Sequence, residues 1–190
     1  MSGTTESGVA TPEAPTGDAH PLVALVGPPN SGKTTLFNQL TGLRQKVANY
    51  PGVTVEKHLG EVRTPSGELE IVDLPGVNGF SSRTLDEQVT RDVLEGRVEG
   101  LRPPDALVLT VDCTRLEPQL MLVEPVLELG IPTLLVLTMA DELDAREGEL
   151  DDARLAERLG VQVTRVNARS GMGLDAVHDF LDHVAQRGRM

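Results

Sequence analysis

The stretch GPPNSGKT at residues 27–34 places two glycines, a lysine and a hydroxyl at the spacing G-x-x-x-x-G-K-T, directly after an apolar run. That spacing makes a loop whose backbone amides wrap phosphate at the start of a helix. Pro28 and Pro29 bring no N–H, yet they fill the first two variable positions, where the chain is still leaving its strand. The donors are therefore expected from Asn30, Ser31, Gly32, Lys33, Thr34 and Thr35, with Gly27 opening the loop. The Lys33 ammonium would reach the outer phosphates, and the Thr34 hydroxyl would ligate Mg²⁺.

Three further stretches follow in an order that suits the same ligand. In DLPG, Asp73 can hold Mg²⁺ through water, Leu74 and Pro75 form the turn, and the Gly76 N–H can meet a γ-phosphate. Alone, Asp-x-Pro-Gly is also an ordinary turn. In TMAD, Thr138 and Met139 precede Asp141, a carboxylate able to accept from the N1–H and 2-amino group of guanine. Adenine has neither donor on that edge, so Asp141 would favour GTP over ATP by being left unpaired with the wrong base. In NARSGMG, amides near Asn167, Ala168 and Arg169 could meet the guanine O6, although by itself this too is only a turn.

Alternating elements must hold these loops. Apolar or alternating runs at LVALVG, EKHLGEVRT, LEIVDL, ALVLTVD, PTLLVLTM and VQVTRVN read as six strands. Helical periodicity falls at Lys33 to Thr41 and near 118–129, 151–159 and 173–186. The fold class is α/β, a mostly parallel six-stranded sheet flanked by helices. The charge-rich segments at 95–103 and 141–154 read as solvated helix faces or loops.

Composition excludes several roles. A net charge of −12 and a pI near 4.7 argue against nucleic acid and anionic lipid, both of which need clustered Lys and Arg. Cys113 is the single cysteine and lies in the apolar setting ALVLTVDCT, so it reads as core. Residues 1–20 are polar, without a basic start or an apolar stretch, and read as a disordered tail rather than a secretory signal. No apolar segment is long enough to cross a bilayer, so no membrane insertion of its own is expected.

With these residues in place, the chain resembles the translation-factor-like P-loop GTPases, and within them the cytoplasmic G domain of the ferrous iron transporter FeoB. The resemblance rests on GPPNSGKTTLFNQLTG, NYPGVTVE, DLPGVNGFS, LDEQVTRDVL, VDCTRLEPQLMLVEPVLELGIP and TMAD, over about residues 21–186. It implies one G domain at 21–187, GTP and GDP as ligands, Mg²⁺ as cofactor and a cytoplasmic location, peripheral to the inner membrane through a partner. It also makes residues 44–56 switch I, in which Gly52 and Val53 lead to Thr54, a threonine that closes on Mg²⁺ and the γ-phosphate, with Lys33 and Gly76 as its catalytic companions. Residues 76–90 become switch II.

Three departures set further expectations. Pro28 stands where the family has an Asn associated with an activating K⁺, so K⁺ stimulation is not expected. Thr138 replaces the usual Asn of the base-reading motif but keeps a hydroxyl to tie loops together. The chain as read carries neither the family's helical spacer nor its permease, so it would act on a separately encoded membrane permease. Val77, where many GTPases carry a water-orienting Gln, points to slow hydrolysis. The competing reading is a GTP-sensing module with little hydrolysis. A ribosome-assembly role is disfavoured by the acidic charge.

Overall fold

Leu22, Ala24 and Val26 leave the first strand on one face, and Val23 and Leu25 on the other; this period of two divides the whole core. A computed structural model describes residues 20–81 and 83–188. The strand β1 (Leu22–Val26) is buried at every position, as a central parallel strand covered on both faces must be. It leads to α1 (Lys33–Thr41). Then come β2 (Gln45–Asn49), β3 (Glu56–Thr64), β4 (Gly67–Asp73) and α2 (Leu85–Leu94). The second half runs β5 (Ala106–Asp112), a short 3₁₀ turn, α3 (Leu116–Glu128), β6 (Thr133–Thr138), α4 (Ala140–Ala145), α5 (Asp152–Leu159), β7 (Gln162–Arg165) and α6 (Leu174–Arg187).

The strands form one sheet in the order β2-β3-β4-β1-β5-β6-β7. The pairs β4–β1, β1–β5, β5–β6 and β6–β7 are parallel, whereas β2–β3 and β3–β4 are antiparallel. All six strands expected from the sequence are present, and β2 is a seventh. Every residue of β2 is exposed, so no apolar alternation marks it; it exists through its pairing with β3.

One face of the sheet buries Leu22, Ala24, Val26, Val72, Leu107, Leu109, Leu135 and Leu137 with Val89 and Val93 of α2 and Leu122, Val123 and Val126 of α3. The other buries Val23, Leu25, Ile71, Val108 and Val136 with Leu36, Phe37 and Leu40 of α1 and Val177 and Leu181 of α6. The loops that follow β1, β4, β6 and β7 therefore open at the carboxyl edge of the parallel strands, where open α/β sheets bind ligands. Apart from His20, the expected N-terminal tail lies outside the described residues. Among the described residues, no helix is long and apolar enough to cross a membrane.

Candidate functional site

Pro28 and Pro29 are part of the turn that shapes the loop after β1. The Pro28 carbonyl accepts from the Ser31 N–H at 3.3 Å, closing a four-residue turn with Pro29 second and Asn30 third. Proline presets the backbone at the second position, and Asn30 takes the positive φ of 61° that the third position of a type II turn requires. Gly32 follows at φ 79°, so left-handed and right-handed residues alternate and successive amides turn inward as a nest.

The Ser31 amide is thus used inside the loop. Among the described residues, the amides of Asn30, Gly32, Lys33, Thr34 and Thr35 donate to no protein group, as the first turn of a helix leaves them. The Ser31 side chain is also occupied: it is buried and 2.7 Å from the Thr110 hydroxyl.

The DLPG segment runs alongside this loop. Leu74 N–H donates to the Leu25 carbonyl and Val77 N–H to the Gly27 carbonyl, both at 3.1 Å. The Lys33 ammonium is buried against the Asp73 carboxylate and the Leu74 carbonyl. The Thr34 hydroxyl stands 3.5 Å from the other Asp73 oxygen. A hydroxyl and a carboxylate this close are the hard oxygen donors that suit Mg²⁺, which ordinarily takes one or two protein oxygens and completes its shell with phosphates and water. Among the described residues, no group of three His, Cys, Asp or Glu is placed to hold a metal by itself. Gly76 packs on the loop so closely that a Cβ there would lie 3.0 Å from Pro29 N and Cα.

Two clefts adjoin here. One, of about 520 Å³, is lined by Pro28, Pro29, Asn30, Gly32, Lys33, Thr34, Thr35, Gly76, Asp86 and Met139. The other, of about 120 Å³, is lined by Gly32, Thr35, Thr138, Met139, Asp141, Glu142, Val166, Asn167, Ala168 and Arg169. Gly32, Thr35 and Met139 belong to both.

Thr138 joins the second cleft to the phosphate loop: its hydroxyl lies 2.8 Å from the Ser31 carbonyl and 3.1 Å from that of Val111, and donates to one of them at a time. Met139 takes φ 59° and opens α4, which sets Asp141 in the first helical turn. In the last loop the Asn167 carboxamide oxygen accepts from the Arg169 N–H at 3.0 Å and the Ser170 N–H at 3.2 Å. This leaves the Ala168 amide, like that of Gly173 at the loop's end, without a protein partner among the described residues.

Switch I stands apart. Thr54 is exposed and lines neither cleft, and Gly52 is exposed beside it. Val53 and Val55 pack instead against the apolar cluster around α2, which turns Thr54 outward. Tyr50 is buried at 2% exposure, and its hydroxyl has no hydrogen-bond partner among the described residues. Burial, with the nearby Asp73 charge adding to it, pushes the Tyr50 phenol well above its ordinary range. Burial likewise pushes the Cys113 thiol up to about 11, with Asp112 adding, as a core cysteine requires.

Sequence reasoning missed Asp86, which lines the larger cleft from the first turn of α2. Its signal was the pattern Thr84-Leu85-Asp86-Glu87, a capping box whose Thr84 side chain accepts from Glu87 N–H. Thr110 was missed too, and a lone hydroxyl at 0% exposure within an apolar strand was its signal.

Comparison with known proteins agrees with this geometry. A family model described as Ferrous iron transport protein B matches residues 22–181. The chain is 43% identical over 159 residues to the Fe(2+) transporter FeoB of Leptospira biflexa, which takes in 84% of this chain and 22% of that protein. The crystal structure of the G domain of the T. maritima FeoB iron transporter superposes with a TM-score of 0.77 at 35% identity, over 87% of this chain and 99% of that one. The cytosolic domain of the T. maritima transporter in its GMPPNP form gives a TM-score of 0.80 at 35% identity, over 87% of this chain and 64% of that one. The chain spans about a fifth of the length of the curated relatives it matches. Matched along nearly all of its described fold and overlaid on a FeoB G domain end to end, the chain belongs to the FeoB family, whose P-loop G domain it carries.

Proposed function

We propose that the chain binds GTP and GDP with Mg²⁺, hydrolyses GTP slowly, and serves as the nucleotide switch of a ferrous iron transport system. The observation that carries this reading is the pair of clefts joined through Gly32, Thr35 and Met139, one lined by the phosphate loop and the other by Asp141 and Ala168. A triphosphate in the first cleft would take hydrogen bonds from the free amides of Gly32 to Thr35 and would draw the Lys33 ammonium from Asp73. The base in the second would be read by the Asp141 carboxylate and the Ala168 amide. Mg²⁺, when bound, would neutralise phosphate charge, with Thr34 and, through water, Asp73 as its protein ligands and Thr54 joining when switch I closes.

In hydrolysis a water oxygen attacks the γ-phosphorus in line, the bond to the β–γ bridging oxygen breaks, its electron pair leaves with GDP, and the proton the water gives up ends on the released inorganic phosphate. Lys33 and the loop amides stabilise the charge that develops, together with the Gly76 N–H. Val77, at 2% exposure with its N–H donated to Gly27, offers nothing to orient the water, which supports slow turnover. That same feature favours the second reading, a GTP-sensing module whose hydrolysis is negligible. Pro28 has no side-chain oxygen, so no side-chain K⁺ ligand is expected at this position. By its family the switch would act in the cytoplasm on a membrane permease.

Single-turnover GTP hydrolysis in K⁺ and in Na⁺ tests the proposal. Slow and equal rates are expected. Stimulation by K⁺ overturns the Pro28 argument, binding without hydrolysis selects the sensing module, and absence of GTP binding overturns both.

A further inference from the structure

Between Gly42 and Leu59 the chain is exposed or half-buried at every residue but one, and that one is Tyr50. Its ring enters the apolar cluster that contains Val72 and Leu74 of the β4 end, Val77 of switch II and Val89 of α2. Tyr50 N–H donates to the Val55 carbonyl at 2.9 Å, and Val53 N–H donates to the Tyr50 carbonyl at 3.3 Å, so residues 50–55 form one closed turn. Within that turn Val53 and Val55 pack on the cluster and Thr54 faces out.

The seat is imperfect, since the phenolic oxygen is buried with neither donor nor acceptor among the described residues. A buried hydroxyl without a partner destabilises the arrangement that buries it and is relieved when water or a polar group reaches it. The ring favours the outward turn and the hydroxyl opposes it.

We propose that Tyr50 is the positioning residue of switch I: seated, its ring holds Thr54 away from the cleft, and its unpaired hydroxyl keeps that seat weak enough for a triphosphate to release it. The proposal rests on the GTP-binding reading above. Its chemistry is that of a population shift: the hydroxyl lowers the cost of the closed conformation, so a ligand that needs Thr54 gains affinity while one that does not is unaffected.

The chain contains one tyrosine and no tryptophan, so its tyrosine emission reports this residue alone. Acrylamide quenching of the full chain is to be compared with Mg²⁺-GDP and with Mg²⁺ and a non-hydrolysable GTP analogue. Weak quenching with GDP and clearly stronger quenching with the analogue are expected. Equal quenching with both nucleotides bound overturns the proposal while leaving GTP binding intact, whereas failure of either nucleotide to bind overturns the reading beneath it. The variant Tyr50→Phe keeps the ring and removes the hydroxyl. Its melting temperature without nucleotide should rise, and its affinity for the analogue relative to GDP should fall about fivefold or more, the lower range for an unpaired buried hydroxyl. An unchanged melting temperature and an unchanged affinity ratio would show that the hydroxyl carries no such role.

Discussion

Asp141 is exposed at the rim of the smaller cleft and has no protein partner among the described residues. A carboxylate with free acceptors reads two donors on guanine, whereas an amide at the same place offers one acceptor and one donor. Asp141→Asn is therefore expected to turn preference from guanine toward xanthine nucleotides, with at least a tenfold loss for GTP, of the size produced when a buried polar edge is left unmatched. Competition binding with GTP and XTP measures it, and equal GTP affinity in variant and parent would remove Asp141 from base reading. Lys33 and Thr34 were legible as candidates from residue type and spacing, Asp73 and Asp141 from short patterns placed after strands, and Thr138 only through the family resemblance. Which amides remain free was not: the Ser31 N–H is taken by Pro28 and the Arg169 and Ser170 amides by Asn167, pairings that depend on backbone angles no spacing reveals.

At the scale of elements, the hairpin between β3 and β4 is tied to α6 by Asp182, which accepts from Ser66 N–H at 2.7 Å and Ser66 Oγ at 2.9 Å. The Ser66 amide, followed by the Thr64 hydroxyl, holds this carboxyl below its ordinary range. A depressed folded-state value means that the stabilisation is present above the unfolded value of 3.8 and is lost as pH falls through the folded one. Asp182→Asn should lower the melting temperature at neutral pH, and the gap to the parent should shrink as pH falls below 3.8, where the parent loses its charge as well. A gap independent of pH would mean that the charge contributes nothing. The helices α1, α3 and α6 and the strands β1, β3, β4, β5 and β6 follow from apolar spacing because each buries its own stripe, whereas α5 and β7 only half-bury Leu155, Leu159 and Val163. The strand β2 was illegible because Gln45–Asn49 buries nothing. The helix α2 was absorbed into switch II, though the capping box at Thr84 and the pair Val89 and Val93 announced it.

At the scale of the whole molecule, the protein carries a net charge of −12, and the described part has no helix able to cross a membrane. If it serves a permease, the two must meet through contacts that a strongly acidic surface can make, and these would be sensitive to salt. Recovery of a polytopic membrane protein with the chain purified from native cells at low salt is expected, and recovery of a soluble partner instead would set the iron-transport pathway aside. The buried contact of Lys33 with Asp73 has a related consequence. Because the ammonium is already compensated, an incoming nucleotide exchanges one ion pair for another instead of meeting a bare cation. From a distance that polyanion sees only an acidic body. Raising ionic strength should therefore speed its capture by screening the repulsion, the reverse of what a basic phosphate receptor would do.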